Sequence, residues 1–313
     1  MNDGVFDFES VRPRLMGIAY RMLGSAVEAE DVVGDVAVRW AAADRGAVRE
    51  PEAWLVTVTT RRALDVLRSA RLQRESYPGV WLPEPIATSD EPGEVLERLE
   101  SLTMGFLVLL ERLTPIERAV FVLHEALDYP YATIADAVGR SEQACRQALH
   151  RARQHVTMPR HATPADRAQA EQVAYRFMAA GFSGDVDELL TTLSPDVLVT
   201  SDGGGIVHAA MRPVAGRIRV ARYLGNLAGR LGDDPLVLPC RLNGEPGALM
   251  HVPDGWVALV VETDGEHVTH VRVVVNPAKL ERLVESFTDA TSGRPGPWNT
   301  SARFRHRRGE PVP

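Results

Sequence analysis

Residues 131–153 constrain this chain most, because they predict two short helices joined by a tight turn. The first, residues 131–139, is apolar and closes at Gly139. Ser141 then stands as a helix N-cap, and Glu142 suits the positive end of the helix dipole. Helical spacing gives the second helix a buried stripe of Ala144, Ala148, Leu149 and Ala152. The pattern predicts a helix-turn-helix, whose second helix typically enters the DNA major groove.

The overall composition limits what the rest of the chain can be. The 313 residues carry a net charge of −7, so any nucleic-acid surface has to be a local basic face. Cys145 and Cys240 lie far apart in the sequence, which argues against a disulfide framework and fits a reducing cytoplasm. There is no signal-peptide core and no apolar run long enough to span a bilayer. We therefore expect a soluble cytoplasmic protein of two or three domains without a membrane contact.

Three helices are predicted before the first proline-rich segment. They cover residues 6–23, 27–43 and 52–74, where apolar residues recur at helical spacing. The third helix is basic in its second half. Its arginines are Arg61, Arg62, Arg68, Arg71 and Arg74. No acidic cluster nearby in the sequence matches them, so this half-helix predicts a surface that faces phosphates rather than a plain solvated face.

Residues 76–93 form a connector of different composition. Its prolines exclude a helix, and its aromatic and apolar content predicts an extended segment that docks onto another surface. A helical pattern resumes over residues 94–113. Thr114 then caps a further helix, with proline at its first position and Glu117 three residues after the cap, an arrangement typical of a capping box. We expect that helix to end near Asp128.

In this order the elements resemble the two-domain bacterial RNA polymerase sigma factors of the extracytoplasmic-function group. Residues 29–40 are similar to the region-two helix that contacts the polymerase clamp. Residues 54–68 are similar to the helix at the −10 promoter element. Residues 113–121 and 141–153 resemble region four, which reads the −35 element. Several motifs in the correct order make this resemblance specific over residues 6–156.

The resemblance implies core RNA polymerase and promoter DNA as partners, and three groups of contact residues. The residues expected at core polymerase are Glu28, Glu30, Asp31, Val32, Asp35 and Trp40. The residues expected at the −10 element are Arg61, Arg62, Asp65, Arg68 and Arg71. The residues expected at the −35 element are Arg140, Ser141, Glu142, Arg146, Gln147, His150, Arg151 and Arg153. Among these, Arg146 and Gln147 are expected to read base edges.

The second half of the chain has a different pattern. Helices are predicted at residues 165–181 and 185–193, and another at 217–231. The predicted strands are residues 197–200, 207–211, 236–242, 248–253, 256–263 and 268–275. Asp-Gly pairs at Asp254 and Asp264 are hairpin signatures. The order predicts an α+β cone with a curved antiparallel sheet, and it resembles the SnoaL-like domains of the nuclear-transport-factor-two (NTF2) fold.

Some SnoaL-like relatives are cyclases or isomerases that use a carboxylate or histidine base. The candidates here are Asp202, His208, His251 and His270. A base needs a pocket and a neighbour that shifts its pKa, and the sequence indicates neither. We therefore assign no catalytic residue, no cofactor and no metal. The position behind a sigma-like half favours a regulatory or ligand-sensing domain, with a small molecule in its pocket as a further partner.

Three short segments sharpen the resemblance. They begin at Trp81, Asp202 and Asn276 and resemble signatures of sigma factors that carry a fused SnoaL-like extension as a built-in regulator. The residues expected at this interdomain contact are Trp81, Leu82, Pro83, Asp202, Gly203, Gly204, Asn276, Pro277 and Lys279. The family pattern usually has a lysine where Ile206 stands and an acidic residue where Ala278 stands, so its interdomain contacts are not carried over unchanged.

These observations predict a multidomain chain of two all-α sigma domains followed by an α+β NTF2-like domain. The expected boundaries are 1–75 for region two, 76–93 for the connector, 94–158 for region four, 165–288 for the SnoaL-like domain and 289–313 for a disordered tail. Two alternatives stay open at this point. One is a SnoaL-like enzyme with a DNA-tethering module, and the other is a ligand-sensing repressor that acts without polymerase.

Overall fold

The computed structural model describes residues 6–88, 102–156, 163–232 and 235–291. It divides into two compact units, each considered by itself: Met1–Ser76 with Phe106–Pro159, and Tyr77–Gly105 with Arg160–Pro313. The beginning of the helix predicted at 94–113 and the tail from Ser292 onward lie outside the described residues. The connector is grouped with the C-terminal unit rather than standing between separate domains.

The first unit is all-α, as the sequence predicts. Its helices are α1 (Phe8–Leu23), α2 (Ala26–Ala42), α3 (Pro51–Glu75), α4 (Met104–Leu110, with its first two residues grouped with the second unit), α5 (Pro115–Phe121), α6 (Tyr131–Val138) and α7 (Glu142–His155). In the core of the first three helices, Trp40 lies 5.5 Å from the Phe6 ring and 5.5 Å from the Trp54 ring, centroid to centroid. Aromatic pairs at this spacing stabilise a core beyond their buried area.

Two arginines join the segments of this unit at the C-terminal end of α1. Arg118 donates to the Met22 carbonyl at 2.8 Å, and Arg74 donates to the Leu23 carbonyl. Both also bind the Glu111 carboxylate at 2.7 Å. Burial raises the pKa of Glu111, but the charges and hydrogen bonds of the two arginines outweigh it and hold that pKa below its usual value. The last carbonyls of a helix lack partners within it, so arginines suit this position.

The capping box at the start of α5 is confirmed. Thr114 Oγ1 accepts from the Glu117 N–H, and the Glu117 carboxylate accepts from the Thr114 N–H at 3.1 Å. The sequence predicted that this helix continues to about Asp128, but the regular α-helix ends at Phe121. A π-helical segment, Val122–Ala126, follows α5, and Asp128 has a φ of 55°. Buried Phe121, Val122 and Leu123 hold the chain through this wider turn, so packing decides its geometry rather than local propensity.

The second unit is an α+β domain. Its helices are α8 (Pro164–Ser183), α9 (Val186–Thr192), α10 (Arg217–Ala228) and α11 (Pro277–Thr291). The described residues form one six-stranded sheet in the order β2-β1-β6-β5-β4-β3. Its strands are β1 (Leu193–Asp202), β2 (Val214–Ala215), β3 (Leu236–Leu242), β4 (Glu245–Val252), β5 (Gly255–Thr263) and β6 (Val268–Val274). α11 continues three residues beyond the predicted domain boundary at 288.

The expectation of an antiparallel sheet is wrong for one pair of strands. Strands β3 to β6 form an antiparallel meander, but β6 pairs with β1 in parallel. A parallel pair needs a long connection, and the stretch between β1 and β6, which includes α10 and the four strands β2 to β5, supplies it. The two Asp-Gly turns are confirmed, with Gly255 at φ 119° and Gly265 at φ 95°.

The strand predicted at residues 207–211 is also wrong. Gly204 and Gly205 have φ of 63° and 73°, so the chain leaves β1 in a tight turn. The N–H groups of Ile206 and Val207 both donate to the Gly203 carbonyl at 3.0 Å. These local bonds use the backbone groups that a strand would have offered to a neighbour. The short strand β2 forms only after this loop.

Because Arg118 is 2% exposed and joins three segments of the first unit, its removal should be costly. Arg118→Ala leaves Glu111 and the carbonyls of Met22 and Leu110 without this partner. We expect about 3–5 kcal/mol less free energy of unfolding in urea denaturation. Arg112→Ala, at an exposed position in the same segment, is the control and should change it by less than about 0.5 kcal/mol. Equal losses in the two variants would contradict the role given to Arg118.

Candidate nucleic-acid interface and connector site

Helix α7 is positioned by its cap and by a buried stripe. The Ser141 hydroxyl accepts from the Ala144 N–H at 3.2 Å, as predicted. The buried residues are Cys145, Ala148, Leu149 and Ala152. The sequence stripe was wrong in one member, because Ala144 is only half-buried and Cys145 takes its place. Burial, followed by the Glu142 charge, raises the pKa of the Cys145 thiol, so this cysteine is a packing residue.

The remaining faces of α7 carry the predicted −35 residues. Arg140, Gln147 and His150 are exposed. Arg146 lies over the Tyr131 ring at 4.6 Å and forms an ion pair with Glu142 at 2.8 Å. These contacts hold the guanidinium on the exposed surface near the N-terminal end of the helix, which is the end that meets bases in a helix-turn-helix.

Two further arginines of α7 form ion pairs with acidic residues of the preceding segments. Arg151 is 2.7 Å from the Glu117 carboxylate, and Arg153 is 2.6 Å from that of Glu125. Burial raises the pKa of Glu117, but the hydrogen bonds from Arg151 and Thr114 lower it by more than burial raises it. The pKa is therefore below its usual value and the carboxylate stays charged. Both arginines are about half exposed, with side-chain exposure of 55%. The two carboxylates are less exposed, at 11% for Glu117 and 19% for Glu125, so solvent screens these pairs only in part.

The basic half of α3 also has acidic partners, although no acidic cluster lies near it in the sequence. Arg62 is 2.7 Å from the Asp35 carboxylate, and Arg68 is 3.2 Å from that of Asp65. Asp35 lies on α2, 27 residues away, so the sequence did not reveal this pair. Arg71 lies in the same helix.

Arg61 of α3 contacts the helix-turn-helix. It donates to the Asp136 carbonyl at 2.6 Å and to the Ala137 carbonyl at 3.4 Å, at the end of α6. These contacts are within the first unit. A residue predicted at the −10 element therefore binds the module predicted at the −35 element.

Helix α2 carries the predicted polymerase contacts, and the structure corrects two of them. Val32 is 1% exposed and Trp40 is 4% exposed, so both are core residues rather than partner contacts. Asp31 and Asp35 are exposed, and Glu28 and Glu30 are half-buried. The sequence analysis missed two exposed valines on the same helix, Val27 and Val38. Apolar residues left exposed beside acidic ones are typical of a surface that a partner covers.

The connector lies on the C-terminal unit around one buried carboxylate, Asp202, at the end of β1. Asp202 is 0% exposed, and its carboxylate accepts four hydrogen bonds from the described residues. The donors are the Tyr77 hydroxyl at 2.6 Å, the Leu82 N–H at 2.8 Å, the Lys279 ammonium at 2.7 Å and the Gly204 N–H at 3.0 Å. Two of these donors belong to the connector. We call Asp202 with these donors the Asp202 node.

Lys279 closes the node from α11 and is the only lysine in the sequence. It donates to the Leu82 carbonyl as well as to Asp202. Its ammonium lies 4.3 Å from the Trp81 ring centre and 5.0 Å from that of Tyr77. A compact ammonium between two aromatic faces and a carboxylate is strongly held when water is excluded.

Asn276 and the glycine turn complete this arrangement. Asn276 donates to the Tyr77 hydroxyl at 2.9 Å. A Cβ on Gly204 would lie 2.4 Å from the Asn276 side chain, and one on Gly205 would lie 2.7 Å from Pro78. The pKa of Tyr77 is raised by burial, and further by the hydrogen bond to Asp202 and the negative charge of Asp202. The phenol therefore keeps its proton and stays a hydrogen-bond donor. The structure thus brings the predicted segments 81–83, 202–204 and 276–279 together.

A second attachment, which the sequence analysis missed, holds the end of the connector. Asn243 is fully buried with φ 54°, and it accepts from the Ile86 N–H at 3.1 Å while donating to the Leu102 carbonyl at 2.9 Å. The Asn243-Gly244 pair is a turn signal that could have indicated this β3–β4 hairpin. Between the two attachments, Leu82, Pro83, Glu84 and Pro85 are buried.

The candidate catalytic residues have other surroundings. Asp202 is occupied by the node, and His251 packs on Trp256 with ring centres 4.8 Å apart. Burial and then the Arg272 charge lower the pKa of His270 to about 4, which makes it a weak base. No group of three His, Cys, Asp or Glu in the described part of the chain is placed to hold a metal ion. Among the same residues, no helix is long and apolar enough to cross a membrane.

Comparison with known proteins decides the family. Residues 8–73 match the family model of sigma-70 region 2, and residues 104–156 match that of sigma-70 region 4. The ECF RNA polymerase sigma factor SigJ of Mycobacterium tuberculosis is 40% identical over 253 residues, which are 78% of this chain and 80% of SigJ. This chain belongs to the family of extracytoplasmic-function (ECF) RNA polymerase sigma factors.

Other relatives agree with this assignment. SigI of M. tuberculosis, described as a probable ECF sigma factor, is 33% identical over 87% of this chain and 93% of its own length. The crystal structure of M. tuberculosis SigJ superposes with a TM-score of 0.71 and 34% identity, covering 88% of this chain and 97% of SigJ. As an ECF sigma factor, the chain binds core RNA polymerase and promoter DNA and directs transcription initiation. The alternative of an enzyme with a DNA tether is not favoured.

The close packing of Gly204 against Asn276 can be tested by comparison with a second glycine of positive φ. Gly204 and Gly216 both have positive φ, but of the two only Gly204 has a neighbour within 4 Å of an added Cβ, the Asn276 side chain. We expect Gly204→Ala to reduce the free energy of unfolding by about 1–3 kcal/mol more than Gly216→Ala, measured by urea denaturation. Equal losses would mean that close packing against Asn276 contributes nothing.

Proposed function

We propose that the C-terminal unit is the built-in regulator of this sigma factor and that it acts by holding or releasing the connector. The observation that carries the proposal is the Asp202 node, where the buried carboxylate and Lys279 bind Tyr77 and Leu82 of the connector. The connector lies in the sequence between the two promoter-reading regions. Its attachment therefore limits how far those regions can separate.

The lengths involved support this proposal. The −10 and −35 elements are about 25 base pairs apart, or roughly 85 Å at 3.4 Å per base pair. A free segment of residues 77–105 could extend on the order of 100 Å, since an extended chain spans about 3.5 Å per residue. With residues 77–88 attached to the C-terminal unit and both Ile86 and Leu102 bound to Asn243, most of that length is not available. Only a released connector is therefore long enough to let the two regions bind the −10 and −35 elements at the same time.

The free energy of opening the node supports a node that can open and close, rather than one that is permanently closed. Opening the node exposes Asp202 and Lys279 to water, which compensates the lost contacts in part, whereas removing one partner leaves a buried charge and costs about 3–5 kcal/mol. A difference of about 3–5 kcal/mol shifts a two-state equilibrium by a factor of about 150 to 5,000. Polymerase binding can supply such an energy through the large surface of a protein interface.

On the promoter side we propose roles for the basic and polar residues of α7 and α3. Arg146 and Gln147 of α7 read base edges, and Arg140, His150, Arg151 and Arg153 contact phosphates. On α3, Arg61, Arg62, Arg68 and Arg71 contact the −10 region. Arg61 and Arg62 carry out this role only after leaving the carbonyls of α6 and the Asp35 carboxylate. DNA therefore competes with contacts inside the first unit, which supports a closed form in the absence of polymerase.

On the polymerase side we propose the exposed face of α2 as the contact. Asp31 and Asp35 supply charge, and Val27 and Val38 supply apolar area. Charge complementarity of this kind raises the association rate and selects the partner.

Loosening the node should raise transcription. Lys279→Met keeps an apolar stem but removes the ammonium, so Asp202 becomes a buried charge with fewer donors. In transcription assays with purified core polymerase and a cognate promoter, we expect this variant to give several-fold more initiation than the wild type at limiting sigma factor. Arg222→Met, at an exposed position of α10, is the control. Identical activity of Lys279→Met, Arg222→Met and wild type would contradict regulation through the node.

A further inference from the structure

A cavity in the C-terminal unit lies beside the Asp202 node. It has a volume of about 160 Å³ and opens between the sheet and helices α8 and α10. Its lining is mostly apolar and includes Phe177, Met178, Leu224, Met250, Val257 and Leu259. The polar side chains that line it are His208, Arg230 and Asp254. Apolar cavities of about 150 Å³ stay dry and bind benzene-sized molecules.

We propose that this cavity binds a small, largely apolar ring compound and that its occupancy strengthens the hold on the connector. The volume fits a ring system on the order of 10 non-hydrogen atoms. The apolar lining selects against charged ligands, since a charge without a partner there loses its hydration. One polar substituent on the ring could form a hydrogen bond with His208, Arg230 or Asp254. The second part of this inference rests on the proposed function of the node.

The loop after β1 gives the first route from cavity to node. Val207 and His208 line the cavity. Val207 also packs closely on Gly203, since a Cβ added to Gly203 would lie 2.2 Å from the Val207 carbonyl oxygen. The same loop contacts the connector two residues before Val207, where Pro78 lies against Gly205. A ligand that fixes Val207 therefore also fixes the turn that receives the connector.

Strand β6 gives the second route. Val273 and Val275 line the cavity. The N–H groups of Val275 and Asn276 donate to the Asp202 carbonyl at 2.8 and 3.1 Å. The wall of the cavity and the backbone of the node are thus hydrogen-bonded neighbours.

Both routes predict positive coupling. A ligand that fills the cavity orders the loop and the end of β6, so the connector then binds to a surface that is already ordered. Coupling between two sites is reciprocal, and a factor of about 5 to 150 is typical. The cavity would then be the site where a chemical signal reaches the sigma factor.

Two glycine variants test the site itself, with indole as the probe and the full-length chain as the protein. Gly181 lines the cavity on α8, while Gly225 on α10 is not among the lining residues, and a Cβ on either meets nothing within 4 Å. Gly181→Leu therefore adds a branched side chain at the cavity wall, starting from a Cβ that meets no neighbour. We expect saturable indole binding by calorimetry in the wild type and in Gly225→Leu, and a loss of at least tenfold in affinity in Gly181→Leu. No binding to the wild type, or equal binding to all three, would overturn the site.

The single lysine gives a direct measurement of the coupling. Because Lys279 is the only lysine, an amine-reactive reagent labels the chain there and at its N-terminus, and mass spectrometry of the peptides separates the two. Saturating indole should slow labelling of Lys279 at least about fivefold in the wild type and not in Gly181→Leu. Indole binding that leaves the labelling rate of Lys279 unchanged would overturn the coupling.

The two proposals fail in different ways. If the regulatory role of the node is wrong, Lys279→Met leaves transcription unchanged, while indole binding and its effect on labelling can still be measured. If the cavity is not a ligand site, indole fails to bind in a chain whose transcription still responds to Lys279→Met.

Discussion

The arrangement of the C-terminal unit depends on the buried carboxylate of Asp202. A carboxylate without water requires several donors, and here they come from three places: the connector, the turn after β1 and the beginning of α11. Each donor alone leaves the charge poorly compensated. The segments are therefore held together or released together, which is the behaviour that a switch needs.

The first unit follows a similar principle with the charges reversed. Arg118 and Arg74 are the cations, and the last carbonyls of α1 together with Glu111 are their acceptors. These buried contacts join region two to the beginning of region four. The arginines that we propose for promoter contacts form exposed pairs instead, such as Arg68 with Asp65, and exposed pairs of this kind contribute little to stability. Burial thus separates the contacts that build the unit from those that it exchanges.

Much of the architecture could be predicted from the sequence because its signals are local. The Ser141 cap, the Thr114 capping box and the Asp-Gly hairpins each need only a few neighbouring residues, and all are present. The connector segments could be grouped through a family resemblance. The parallel pairing of β1 with β6 and the Arg62–Asp35 pair could not be predicted, because they depend on residues distant in the sequence. Val32 and Trp40 were expected at core polymerase because a family motif does not show which of its residues are buried.

The most direct test of the account is the labelling rate of Lys279 by an amine-reactive reagent in the free chain and in complex with core polymerase. In the free chain the side chain is 14% exposed and is bound to Asp202, so labelling should be slow. If polymerase binding releases the connector, Lys279 should react several-fold faster in the complex. Equal or slower labelling in a complex that initiates transcription would contradict the claim that the node opens when the sigma factor acts.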